Sequence, residues 1–159
     1  MITLTALNQM TQSEFIDLLG SIYAHTPWVA ATAFEQIPFE SHEDLIFTFK
    51  AIVEDANEET KLSLIRAHPD LGNKLIHTSE ITHDSTQEQL DHLNAAYLDK
   101  FGFPFIICVK HHTYAQVLAA FTSRFENSHE KEILQALHQI HLIAQLKIVE
   151  KISLAESSA

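Results

Sequence analysis

The chain has 159 residues, 46% of them hydrophobic, with ten Phe but three Gly and four Pro. That is length enough for one domain with its own core, and too few turn-formers for a β protein. A formal net charge of −11 excludes the basic footprint that a nucleic-acid partner requires.

No apolar run approaches the length that spans a membrane, and Met1-Ile2-Thr3-Leu4-Thr5 lacks the basic-then-apolar order of a signal peptide. The single cysteine, Cys108, lies inside an apolar run and forms no internal disulfide. The chain is therefore expected to be soluble and cytoplasmic.

In chain order, Thr11-Gln12-Ser13-Glu14 is a capping box, and the helix after it should bury Phe15, Leu18, Leu19 and Ile22. Thr26-Pro27-Trp28 starts a second helix with proline at the first helical position, and Trp28, Val29 and Phe34 read as core. A third helix begins at Ser41-His42-Glu43-Asp44 and runs through Leu45, Phe47, Phe49, Ile52 and Val53. A fourth is capped by Asn57 and passes Leu62, Leu64 and Ile65 to a stop at His68-Pro69. Proline disfavours helical conformation in the residue before it and cannot continue the ladder. Gly72-Asn73 marks a turn, with a short helical piece through Leu75-Ile76.

Ser85-Thr86-Gln87-Glu88 reads as another capping box, opening a helix through Leu90, Leu93, Tyr97 and Leu98 to Gly102. The run Phe103-Pro104-Phe105-Ile106-Ile107-Cys108-Val109 has no second strand to pair with, so it is expected as a buried extended connector behind any site. Thr113 caps a helix to about Phe125, and Ser128 opens the last and longest, with a stripe of Ile133, Leu137, Ile140, Ala144 and Ile148. Lys147 falls on or beside that stripe, where a lysine ordinarily lays its methylenes along the core edge. Together these elements predict an all-α, single-domain bundle of about seven to eight helices over residues 1–159, with a frayed tail at 153–159.

His68 has two readings. Held at a helix end before Asp70 and a glycine turn, it can face a cleft as a general acid or base; equally, it can serve as a helix terminator on the negative end of the dipole. Eleven histidines raise a metal reading, with His138-x-x-His141 and His111-His112 as its best spacings. No cysteine pair, HExxH or Glu-x-x-His accompanies them, so no metal site is expected. No Gly-x-Ser-x-Gly elbow supports a serine hydrolase. What remains is His68, Ser85, Glu88, Gln89, Lys110 and Lys147. This set suits a small anionic, amide-rich ligand whose chemistry is proton movement.

At these residues the chain resembles the 2-oxo-4-hydroxy-4-carboxy-5-ureidoimidazoline (OHCU) decarboxylases of urate and purine breakdown. The matching stretches are Pro27-Trp28-Val29-Ala30, Leu64-Ile65-Arg66-Ala67-His68-Pro69-Asp70-Leu71, Ser85-x-x-Glu88-Gln89, Leu93-Asn94-Ala95-Ala96-Tyr97 and Phe101 through Val109. The similarity runs from about residue 5 to 150.

The resemblance implies a helical bundle, a homodimer, and cofactor-free decarboxylation of an anionic ureide substrate to (S)-allantoin and CO2. It assigns His68 and Glu88 to catalysis. It assigns Pro69, Ser85, Gln89, Ile107, Val109, Lys110 and Lys147 to substrate binding. Lys110 and Lys147 stand where the family usually carries arginine, and a point charge replaces a planar fork at both. The segment between Gln89 and Leu93 is also shorter than is usual there. Two other readings stay open: a diverged paralogue acting on another ureide-like carboxylate, and a non-catalytic helical binding module.

Overall fold

The structure is a computed structural model that describes residues 2–23, 26–68, 84–108 and 113–152. The described residues hold eight helices: α1 Leu4–Asn8, α2 Gln12–Leu19, α3 Pro27–Phe34, α4 His42–Glu54, α5 Glu58–Ala67, α6 Asp84–Phe101, α7 Tyr114–Phe125 and α8 His129–Lys151. Among the described residues there is no strand beyond a single parallel bridge between Ile2 and Ile152. The all-α expectation holds, and α1 is a helix that the sequence pattern did not suggest. No described helix is long and apolar enough to cross a membrane.

The helix starts follow local chemistry. Thr11 and Glu14 close a reciprocal capping box at α2, and Thr113 and Gln116 do the same at α7. Ser41 Oγ accepts the Asp44 N–H at 3.0 Å, Asn57 Oδ1 accepts that of Thr60 at 2.8 Å, and Ser128 Oγ that of Lys131 at 3.2 Å. Pro27 sits at the start of α3, where its missing donor costs nothing.

Helix α6 departs from expectation. It begins at Asp84, so Ser85 lies within its first turn rather than before it, and the side-chain contacts of the expected Ser85–Glu88 capping box lie outside the described groups. Serine caps only from the residue before the first helical turn, and here that position precedes Asp84. The turn at Gly72-Asn73, the piece at Leu75-Ile76, and the tail from residue 153 lie outside the described residues.

The described chain divides into two compact units, residues 1–64 with 141–159, and residues 65–140. In the first, α2 packs on α3 and α3 on α4. Phe15 is the hub, edge-on to Phe34 and stacked beside Phe39 and Phe49. Asn8 pins Phe39 from both sides of its amide, accepting the Phe39 N–H at 2.8 Å and donating to its carbonyl at 2.9 Å.

The second unit centres on Tyr97, ringed by Phe101, Phe103, Phe105 and Phe121. The inward residues of α6 are Leu90, Asn94, Tyr97 and Phe101, spaced as one helical stripe.

Three residues expected in the core are exposed, and Leu18, Phe34, Ile52, Leu62 and Leu93 are half-buried at its edge. Phe47 is 70% exposed, because Leu45, Phe49 and Val53 claim the buried face of α4 and Phe47 falls opposite. Trp28 is 38% exposed, since α3 turns Val29, Ala30 and Ala33 inward. Leu98 lies outside the α6 stripe for the same reason.

Candidate functional site

His68 follows directly on α5, with its N–H donated to the Ile65 carbonyl at 3.2 Å and only 4% of the residue exposed. The helix therefore stops where the sequence indicated. Two residues earlier, Arg66 Nε donates to the Gly102 carbonyl at 3.0 Å. Gly102 ends α6 with its N–H on the Leu98 carbonyl and a φ of 80°, a left-handed conformation that glycine adopts without strain. Thus the end of α5 is tied to the start of the connector.

That connector is buried from Phe103 to Cys108, with neither helix nor strand, as expected. Side chains hold its backbone. Arg124 Nη1 donates to the Ile106 carbonyl at 2.7 Å, and the Cys108 N–H donates to Gln139 Oε1 at 2.9 Å. Arg124 is itself fixed through Nε on Glu132 Oε1 at 2.8 Å, with its guanidinium 4.2 Å above the Phe105 ring. Fully buried Glu132 also accepts from Tyr97 at 2.5 Å and from Asn127 at 2.8 Å. Burial, reinforced by the Glu132 carboxylate, holds the Tyr97 hydroxyl far above the ordinary tyrosine range. Sequence patterning missed this group: a Glu and an Arg on amphipathic helices read as solvent-facing.

Glu88 and Gln89 are exposed near the start of α6, in the same unit as His68 and Ile107. The side chain of Ser85, together with Pro69, Val109, Lys110, His111 and His112, lies outside the described groups.

Lys147 belongs to the other unit. Half-buried on α8, it donates from Nζ to the Ser21 carbonyl at 3.3 Å, and burial pushes its ammonium below the usual lysine range. The nearby Lys151 adds to that shift and Glu150 opposes it.

A second grip on the same connection was not anticipated. The Tyr23 hydroxyl lies 2.9 Å from His141 Nδ1, while His141 Nε2 lies 2.8 Å from Glu54 Oε1. With the Nε2 hydrogen given to the carboxylate, Nδ1 is left to accept from Tyr23. Burial, and the Glu54 charge after it, push the Tyr23 hydroxyl well above its ordinary range. His141 is thus engaged within the fold, whereas His138 is exposed. No spacing in the sequence linked Tyr23, Glu54 and His141.

Comparison with known proteins gives a consistent result. The family model for OHCU decarboxylase matches residues 8–148. The chain is 36% identical to a 2-oxo-4-hydroxy-4-carboxy-5-ureidoimidazoline decarboxylase from Haloferax volcanii, over 96% of this chain and 97% of that one. It is also 36% identical to a uric acid degradation bifunctional protein from Bacillus sp., over 94% of this chain but 32% of that protein. Among solved structures, an (S)-allantoin synthase superposes with a TM-score of 0.84 at 34% identity, over 96% of this chain and 54% of that one. A match from residue 8 to 148, with the Haloferax volcanii relative 36% identical along nearly its full length, leaves one conclusion: the chain belongs to the OHCU decarboxylase family.

Proposed function

We propose that this chain, acting as one domain and as a cytoplasmic homodimer, decarboxylates OHCU to (S)-allantoin and CO2 in urate degradation. The observation that carries the reading is His68: a nearly enclosed imidazole at the end of α5, held through Arg66 against the connector, in a chain of this family. An imidazole can both accept and return a proton through its ring nitrogens.

The chemistry balances without an added electron sink. As the bond to CO2 breaks, its electron pair moves into the ring, where the adjacent C=N unsaturation accepts it. The ring nitrogen that gains the pair takes one proton from solvent, a second proton goes to the neighbouring ring carbon, and the substrate hydroxyl loses its own proton to become a carbonyl, so one net proton is taken up for each CO2 lost. His68 serves these transfers from one face, which sets the chirality of the product. Glu88 orients the hydroxyl, and Ser85 and Gln89 hold the amide edge. The cationic Lys110 and Lys147 attract the carboxylate and ureido oxygens. Pro69, next to His68 in the sequence, takes part in substrate binding, as do the backbone N–H and C=O groups of Ile107 and Val109.

The test is turnover of freshly generated OHCU, followed by circular dichroism as (S)-allantoin forms. Wild-type protein should produce a chiral signal above the spontaneous background. His68→Asn should lower that rate by about 100-fold or more with the fold retained. A folded wild type no faster than background would overturn the assignment.

A further inference from the structure

The connector is anchored at two alternate residues. Arg124 takes the Ile106 carbonyl and Gln139 takes the Cys108 N–H. Residues 104–108 run with neither helix, turn nor bend. In extended chain, the N–H and C=O of alternate residues point to one side, and those of the residue between them point to the other. Ile106 and Cys108 therefore commit their polar groups to α7 and α8, and Ile107 turns its N–H and C=O the opposite way.

Both anchors are well fixed. Arg124 is clamped between Glu132 and the Phe105 ring. Gln139 follows Glu132 by seven residues, two turns along the same face of α8.

We propose that Gln139 and Arg124 are positioning residues for the reaction, fixing the connector so that the N–H and C=O of Ile107 meet the ureide edge of the substrate. This rests on the decarboxylase reading, since it supplies the edge to be bound. A one-residue slip of an extended segment reverses which backbone groups face the ligand. The two anchors add polar restraints to the apolar side-chain packing that holds its register.

Gln139 is the better residue to test, because losing Arg124 would strand the buried Glu132. Gln139→Leu removes the acceptor, while Gln139→Glu keeps one. The Leu variant should lose about 10- to 100-fold in kcat/KM, with the larger share in KM. The Glu variant should stay within about threefold of wild type. Cys108 is the sole thiol in the chain and is buried. Its reaction with a thiol reagent under native conditions should quicken in the Leu variant alone. A folded Leu variant with wild-type kcat/KM would overturn the proposal. If wild type turns over no OHCU, the decarboxylase reading itself fails, and hydrogen exchange at the Cys108 amide then decides the anchoring. Protection lost in Leu and kept in Glu upholds it; equal protection in all three overturns it.

Discussion

Arg66 donates from Nε to the carbonyl of Gly102, so the last turn of α5 is tied to the residue that begins the connector. His68 lies two residues beyond that link. Because Arg66 is exposed, its hydrogen bond should add little to stability, about 1 kcal/mol at most. Its value lies in where it holds the end of α5. Arg66→Met should therefore leave the thermal midpoint nearly unchanged while lowering kcat on OHCU several-fold. Stability and turnover measured on the same preparation check this, and parallel losses in both would assign Arg66 to the fold alone.

The Tyr97–Glu132–Arg124 group should behave as a buried unit. Glu132→Ala strands the Arg124 guanidinium away from water and should cost about 3–5 kcal/mol. Tyr97→Phe removes one bond to a charged acceptor and should cost about 2 kcal/mol. Urea denaturation of the two single variants and the double variant gives the coupling. Strictly additive losses would mean that the hydroxyl and carboxylate act independently.

Tyr23, His141 and Glu54 pin the connection after α2 to α4 and α8. Tyr23→Phe keeps the ring stacked beside Phe49 and removes only the hydroxyl, so its cost should be about 1 kcal/mol. In a His141→Leu background the same change should cost almost nothing, since the acceptor is already gone. Denaturation midpoints of the four proteins in this cycle measure the difference.

Lys147 yields a pH prediction. Its folded-state pKa lies below the unfolded value of 10.5. Between the two, the unfolded chain binds the extra proton, so stability rises with pH across that window. Below the window both states are protonated and the full cost of burying the ammonium remains. Lys147→Met removes this contribution, so its stability advantage over wild type should be greater at neutral pH than at pH about 10. Urea midpoints of both proteins at the two pH values check the sign. Activity of the Met variant on OHCU should fall regardless.

Thr11→Ala should cost about 1 kcal/mol by opening the α2 capping box. The cap also holds the Glu14 carboxyl below its usual range through the Thr11 N–H. That contribution is complete above the unfolded carboxylate value of 4.5 and fades as pH falls through the lowered one. Acid titration of stability should therefore separate wild type from Glu14→Gln only above that fade.

By itself the sequence determined the helical class, the capped starts of α2, α4, α5, α7 and α8, the stop at His68 and the buried connector. Each follows from residues close in the chain: a hydroxyl three positions before an amide, a proline after a histidine, an apolar run too short of polar groups to meet water. The candidate residues around His68 were legible because their motifs are contiguous.

Tertiary structure decided the rest. Which face of α4 is buried settled the exposure of Phe47, and the inward turn of α3 settled that of Trp28. Arg124 with Glu132, Gln139 with Cys108, and Tyr23 with His141 are partners from 8 to 118 residues apart. Helical periodicity marks which face of a helix a residue occupies, but not what meets it there. Those pairings arise only when distant helices pack, since a polar group that loses water must find its partner in whatever the fold brings beside it.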